Sequence, residues 1–161
     1  FTLFGAGLDA QPVANLARRC GFQVTVVDPR QDFLSQDRFP GATLIQIHPV
    51  AYQEQLNFGC NTAVVIMNHH YERDRHALRF ALQSRAPYVG VLGPSHRFHK
   101  LLEELKGQGF VPTKEQLDKV YNPIGLAIGA EGPEEIAVSV VSEVLAFLRG
   151  KKGGMLRKAF E

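Results

Sequence analysis

Residues 1–28, "FTLFGAGLDAQPVANLARRCGFQVTVVD", run from an apolar stretch through Gly5-Ala6-Gly7 and a segment of helical spacing into a second apolar stretch that ends in Asp28. Apolar runs without alternation read as strands buried on both faces, and a helix between two of them makes a parallel pair with a right-handed crossover. The turn has the form G-x-G-x-x-A over Gly5, Gly7 and Ala10. An acid at the end of the next strand, about twenty residues on, completes the spacing of a dinucleotide-binding unit. Gly5 then allows the tight turn, Gly7 removes a side chain that would block a phosphate, and Ala10 lets the helix pack closely on its strand. The helix N-terminus offers N–H groups and partial positive charge to an anion. Asp28 would accept hydrogen bonds from a ribose diol, or, as a strand-end acid before Pro29, is simply a turn residue.

The same alternation continues outward. "FTLFG", "FQVTVVD", "ATLIQI", "TAVVIM", "YVGVLG" and "IGLAIG" read as strands, and helices are predicted over 9–20, 50–57, 72–84, 96–106, 114–120 and 134–148. Ile136, Val140, Val144 and Phe147 show the helical spacing in the last of these. The fold class is α/β: a doubly wound, mostly parallel sheet of about six strands with helices on both faces, Rossmann-like. The 161 residues, 45% of them hydrophobic, suit one compact domain, placed at residues 1–150 with a basic tail at 151–161.

Composition excludes several classes of partner. The net charge is only +2, without the basic footprint of nucleic-acid binding. No apolar run approaches the roughly 20 residues of a membrane span, and the start lacks a charged and then apolar leader. The expectation is a cytoplasmic protein with no nucleic acid and no membrane among its partners. Cys20 and Cys60 stand in no metal or disulfide spacing and read as small core hydrophobes. A chain that opens without methionine on a strand is expected to be a piece of a longer one.

In a doubly wound sheet the ligand crevice lies outside the carboxyl ends of the strands, so the residues after each strand carry the chemistry. Asp9 puts a carboxylate where a pyrophosphate would sit; it reads either as the helix N-cap or as the mark of a shifted, less phosphate-dependent mode. Arg30 meets a phosphate or is simply solvated. After the fourth strand come Asn68-His69-His70-Tyr71-Glu72-Arg73-Asp74. His69 and His70 titrate near neutral pH and would touch a cofactor or substrate, unless the segment is an ordinary helix start with Asp74 in its first turn. Adjacent side chains diverge and no third ligand follows, so no metal is expected.

Gly93-Pro94-Ser95-His96-Arg97 suits an anion through Ser95 and Arg97, or equally a helix capped by Ser95. Near the end, Pro133, Glu134 and Glu135 are explained by a helix start. The glycines of "PIGLAIGAEG" (123–132) ask instead for close approach of a ligand or of another protein chain.

Taken together, "GAGLDAQPVANLARRCGFQVTVVDPR", "MNHHYERDRHAL", "YVGVLGPSHR", "NPIGLAIGAEGPEEIAVSVVSEV" and "GGMLR" resemble the Rossmann-type C-terminal domain of the xanthine dehydrogenase accessory protein family (XdhC/CoxI), over essentially the whole chain. The resemblance implies a maturation factor, or chaperone, for molybdenum hydroxylases such as xanthine dehydrogenase. Such a factor binds molybdenum cofactor (molybdopterin or its cytidine dinucleotide) and supports its sulfuration and insertion. It further implies as partners a molybdenum hydroxylase apoenzyme and a sulfur-transfer enzyme, with a homodimer compatible, and a family N-terminal domain absent from this chain. Neither Cys20 nor Cys60 matches the cysteine motif of that domain. Two positions depart from the family: Leu8 where many relatives have histidine, and Ala127 where an acid is common.

The expected cofactor-binding residues are Gly5, Gly7, Ala10, Asp28, His69, His70, Ser95 and Arg97, with no catalytic residue and no metal ligand. The chain reads as a cofactor-binding accessory protein more than an enzyme. Two alternatives stay open. One is an NAD(P)-binding oxidoreductase-like domain with His69 or His70 as acid/base, opposed by Asp9 and by the lack of a separate substrate domain. The other is a ligand-free interaction module docking through Lys151, Lys152, Arg157 and Lys158.

Overall fold

The computed structural model describes residues 1–157, so Lys158 of the basic tail lies outside the described residues. The chain order is β1 (Thr2–Phe4), α1 (Ala10–Arg19), β2 (Thr25–Asp28), β3 (Thr43–Gln46), α2 (Tyr52–Gln55), β4 (Ala63–Ile66), α3 (Tyr71–Gln83), β5 (Tyr88–Val91), α4 (Ser95–Gly107), α5 (Lys114–Asp118), β6 (Val120–Tyr121) and α6 (Pro133–Leu148). The strands form one sheet in the order β3-β2-β1-β4-β5-β6, and every neighbouring pair is parallel. The strand order therefore reverses between β1 and β4, and the crevice expected at that switch point lies beside the Gly5–Ala10 turn.

Each face of the sheet has its own core, as the unbroken apolar strands require. Leu3, Val26 and Val65 point to α1 and α6 and meet Val13, Ala17, Val140 and Val144. Phe4, Val27, Val64 and Ile66 point the other way and meet Tyr52, Leu78, Leu82 and Leu101. Phe4 is fully buried among rings, 4.9 Å from Tyr52 and 6.1 Å from Phe80 between centroids. Truncating such a side chain typically costs about 3–5 kcal/mol.

Three expectations need correction. The sixth strand is Val120–Tyr121 and not the "IGLAIG" run. Pro123 brings no N–H to a ladder, and the backbone then turns at Gly125 with φ +107°. Ile124 inserts over β5 at Gly90, where an added Cβ would lie 2.2 Å from its Cδ1. At Gly125 an added Cβ would lie 2.2 Å from Ser139 Oγ; the close neighbour that this glycine admits is the chain's own α6. Ser139 Oγ donates to Leu126 O (2.7 Å) and Gly125 N–H donates to Glu143 Oε1 (3.1 Å), fastening the segment to that helix. Second, Cys20 and Cys60 are exposed rather than core residues. Cys20 falls at the C-terminal end of α1, past its buried stripe of Val13, Ala14 and Ala17. Third, the helix over 50–57 shortens to a 3-10 turn at Pro49–Ala51 followed by α2.

Candidate functional site

The glycine turn is clamped from several sides. Gly5 has φ +113°, and a Cβ there would lie 2.6 Å from Met67 O and 2.8 Å from Asn68 Cα, so the turn presses on the exit of β4. The next residue is held at both of its backbone polar groups. Ala6 N–H donates to Asp28 Oδ2 (2.8 Å), and Ala6 O accepts from Arg38 Nη2 (2.9 Å). Arg38 carries no motif in the sequence and reaches the turn from a loop 32 residues away.

Asp28 is completely buried and its oxygens are occupied. Oδ1 accepts from Arg30 N and Arg30 Nε, both at 2.9 Å, and Oδ2 accepts from Ala6 N and from Arg30 Nη2 (2.8 Å). Burial by itself pushes this carboxyl up, but the side-chain and backbone N–H groups of Arg30 and that of Ala6 outweigh it and hold the group below its ordinary value. The guanidinium lies 3.7 Å from the Phe33 ring centroid. Asp28 is thus a brace between the glycine turn and the exit of β2, and a ribose diol would have to compete with Arg30 for it.

A second brace stands across the switch point. Asp74, in the first turn of α3, is 2% exposed. Its Oδ1 accepts from Asn68 N (3.1 Å) and Asn68 Nδ2 (2.9 Å), and its Oδ2 accepts from Arg97 Nη2 (2.6 Å). One carboxylate therefore ties together the β4 exit, α3 and α4. Asn68 Oδ1 is buried and has no partner among the described residues.

Asp9 does not cap α1: it occupies the N-cap position without a side-chain cap bond. Its carboxylate pairs with His69 Nε2, and His69 adopts a left-handed backbone, φ +53°, to meet it. The hydrogen bond with Asp9 raises the His69 pKa against the opposing effect of burial. A protonated His69 cancels the charge of Asp9, which removes the repulsion foreseen for a phosphate at this turn. The Gly7 backbone stays open, since an added Cβ would meet only Asp9 Oδ1, at 2.9 Å.

Ser95 is also not a cap; Pro94 holds that position and Ser95 is the exposed first residue of α4. His70 instead caps α3, its Nδ1 accepting the Arg73 N–H at 3.4 Å.

Of the expected site residues, His69, His70 and Arg97 line two separate clefts at the carboxyl edge, and Gly5 and Gly7 line neither. One, of about 200 Å³, lies at the exits of β4 and β5 and brings together His69, Asp74, Gly93 and Arg97. The other, of about 280 Å³, lies beyond the exits of β2 and β3 and takes His70 with Arg30. Ser95 lines neither, Ala10 is buried under the turn, and Asp28 stands between β2 and the turn. Among the described residues no three His, Cys, Asp or Glu side chains are placed to hold a metal ion, and no helix is long and apolar enough to cross a membrane.

The geometry agrees with what the chain resembles. A family model described as the XdhC Rossmann domain matches residues 1–144. The chain is 40% identical over 144 residues to a probable xanthine dehydrogenase subunit of Bacillus subtilis, covering 89% of this chain and 41% of that protein. It is 28% identical over 143 residues to the molybdenum cofactor insertion chaperone PaoD of Escherichia coli, covering 88% of this chain and 38% of that protein. A crystal structure described as a xanthine dehydrogenase from Bacillus halodurans superposes with a TM-score of 0.81 at 33% identity, over 92% of this chain and 44% of that one. The chain thus spans well under half the length of each of these relatives. With the six-stranded parallel sheet and the clamped glycine turn at its switch point, the match establishes that this chain belongs to the XdhC Rossmann domain family.

Proposed function

We propose that the chain is the cofactor-binding Rossmann half of a maturation factor for molybdenum hydroxylases, holding molybdenum cofactor by its phosphate end for delivery to an apoenzyme. The observation that carries the proposal is the open Gly7 backbone at the start of α1, beside a cleft lined by His69 and Arg97. A phosphate would sit against Gly5-Ala6-Gly7 and the α1 N-terminus, with Ala10 keeping the helix close. Arg97 would supply positive charge, His69 would neutralise Asp9 beside the phosphate, and Ser95 would offer a hydroxyl at the start of α4. His70 and Arg30 border the second cleft, where an extended ligand would continue.

Molybdenum cofactor, once delivered, supplies the metal centre of the client enzyme; the residues here bind and shelter it without turning it over. Sulfuration and insertion would then involve a sulfur-transfer enzyme and the apoenzyme as partners. The names of the relatives, one belonging to xanthine dehydrogenase and the other to an insertion chaperone, support this assignment. Asp28 weighs against the NAD alternative, because its oxygens already hold Arg30 and Ala6.

The test is anaerobic equilibrium binding of the chain to molybdenum cofactor, with CDP, NAD and NADP as separate ligands and competitors. The proposal expects micromolar cofactor affinity, displacement by CDP and no effect of NAD. Tight NAD binding without cofactor binding would assign the domain to the oxidoreductase-like class, and failure of every ligand would leave an interaction module.

A further inference from the structure

The second cleft is more strongly polarised than the first. Its lining carries the guanidinium groups of Arg30 and Arg73 and the imidazoles of His48, His70 and His76, against a single acid, Glu72. These groups come from three places in the fold: the exit of β2, the exit of β3 and the first turns of α3. The acid is exposed at the rim and lies 4.0 Å from Arg75.

The donors are prepared for an oxyanion. Arg30 spends Nε and one Nη2 hydrogen on Asp28, which leaves the Nη1/Nη2 edge of its fork available, and Phe33 holds the guanidinium plane in place. Arg73 makes no ion pair among the described residues. His70 accepts the Arg73 N–H at Nδ1, so its neutral ring carries the proton on Nε2 and donates from there.

We propose that this cleft is an anion site for a phosphate monoester, held by the free edge of Arg30, by Arg73 and by His70 Nε2–H, with the imidazoles of His48 and His76 completing the rim. It shares no lining residue with the cleft of His69 and Arg97 and stands whether or not that cleft holds cofactor. A volume of about 280 Å³ admits the phosphate and the first atoms of what it is attached to. The monoester would come from a pterin or from a nucleotide, which present the same dianion.

Burial first, and then Arg75, depress the pKa of His76, with His48 and Arg79 acting in the same direction and Glu72 against them. With Arg30 also facing the cleft from β2, a bound dianion would offset this positive charge and draw a proton onto His76.

The experiment is NMR of the 15N-histidine-labelled chain titrated with inorganic phosphate near pH 6.5. The expected result is saturable movement of the His48, His70 and His76 resonances, with an upward shift of the His76 titration, while His96 and His99 stay still. Arg73→Gln should weaken phosphate by about tenfold or more, as loss of a charge-assisted hydrogen bond implies. Arg73→Lys should retain part of the affinity, and both variants should keep the melting temperature. Phosphate that moves only His69, or all histidines alike, would overturn the proposal, as would an Arg73→Gln variant with unchanged affinity. Repeating the titration with cytidine monophosphate and with 6-hydroxymethylpterin phosphate distinguishes the two sources: the true one binds more tightly than inorganic phosphate.

Discussion

Asp28 and Asp74 stand on opposite sides of the switch point and do the same thing with opposite visibility. Both are buried carboxylates, both accept backbone N–H groups from a strand-exit turn, and both hold an arginine that reaches the surface. Asp28 sits at a position where the Rossmann pattern foresees a ligand contact, and the fold uses it internally. Asp74 resembles one more acid at a helix start, and it fastens the β4 exit to α4. The lesson is that the walls of this crevice are set by two ion pairs before any ligand arrives. On the proposed function, the groups left to recognise a ligand are the turn backbone and the outer faces of the arginines.

The strongest way to break this comparison is to remove the carboxylates one at a time. Asp28→Ala leaves Arg30 and the Ala6 N–H without their acceptor, and it should destabilise by about 3–5 kcal/mol in urea unfolding. Asp74→Ala should cost less, about 2–3 kcal/mol, because Asp74 accepts three N–H groups in these braces where Asp28 accepts four. If Asp74→Ala proves the costlier, the β4 side is the main support of the edge.

Gly5→Ala attacks what Asp28 braces. Its Cβ would collide with Met67 O and Asn68 Cα in a conformation that L side chains rarely adopt, so a loss of about 2–3 kcal/mol is expected. Gly7→Ala sharpens the contrast. It meets only a movable Asp9 oxygen and should change stability by under about 1 kcal/mol while reducing ligand affinity.

The pH dependence separates the ion pairs by sign. The Asp28 carboxyl is held below its unfolded value, so its contribution is complete above the unfolded value of about 3.9 and is lost as pH falls through the folded one. Asp28→Asn should therefore flatten the decline of stability below about pH 4. His69 is raised, so its pairing with Asp9 contributes below the unfolded value of about 6.5 and is lost as pH rises through the folded one. The His69 side chain is 58% exposed, and solvent screening keeps this smallest effect below about 1 kcal/mol, detectable as a loss of alkaline slope in Asp9→Asn.

Most of the fold could be read because β1, β2, β4 and β5 are buried on both faces, and apolar runs such as "TAVVIM" admit little else. The sixth strand could not. "IGLAIG" is as apolar as the others, but the space left by Gly90 for Ile124 and the bonds from Gly125 to α6 are long-range facts. The glycine turn was legible at Gly5, Gly7 and Ala10, since close approach leaves only small residues there. The occupancy of Asp28 was half legible, because Arg30 follows two residues later and a local side-chain-to-backbone turn was open to it. Asp74 with Arg97, Asp9 with His69, and Arg38 with Ala6 join residues 23, 60 and 32 positions apart, and no local spacing announces them.

The most direct test of the central claim is amide hydrogen exchange of the anaerobic chain with and without saturating molybdenum cofactor. A phosphate held at the open Gly7 backbone predicts new protection at residues 6–10 and 95–97, and no such protection in a Gly7→Val variant that melts at the wild-type temperature. Protection confined to residues 124–132, or equal protection in Gly7→Val, would contradict it.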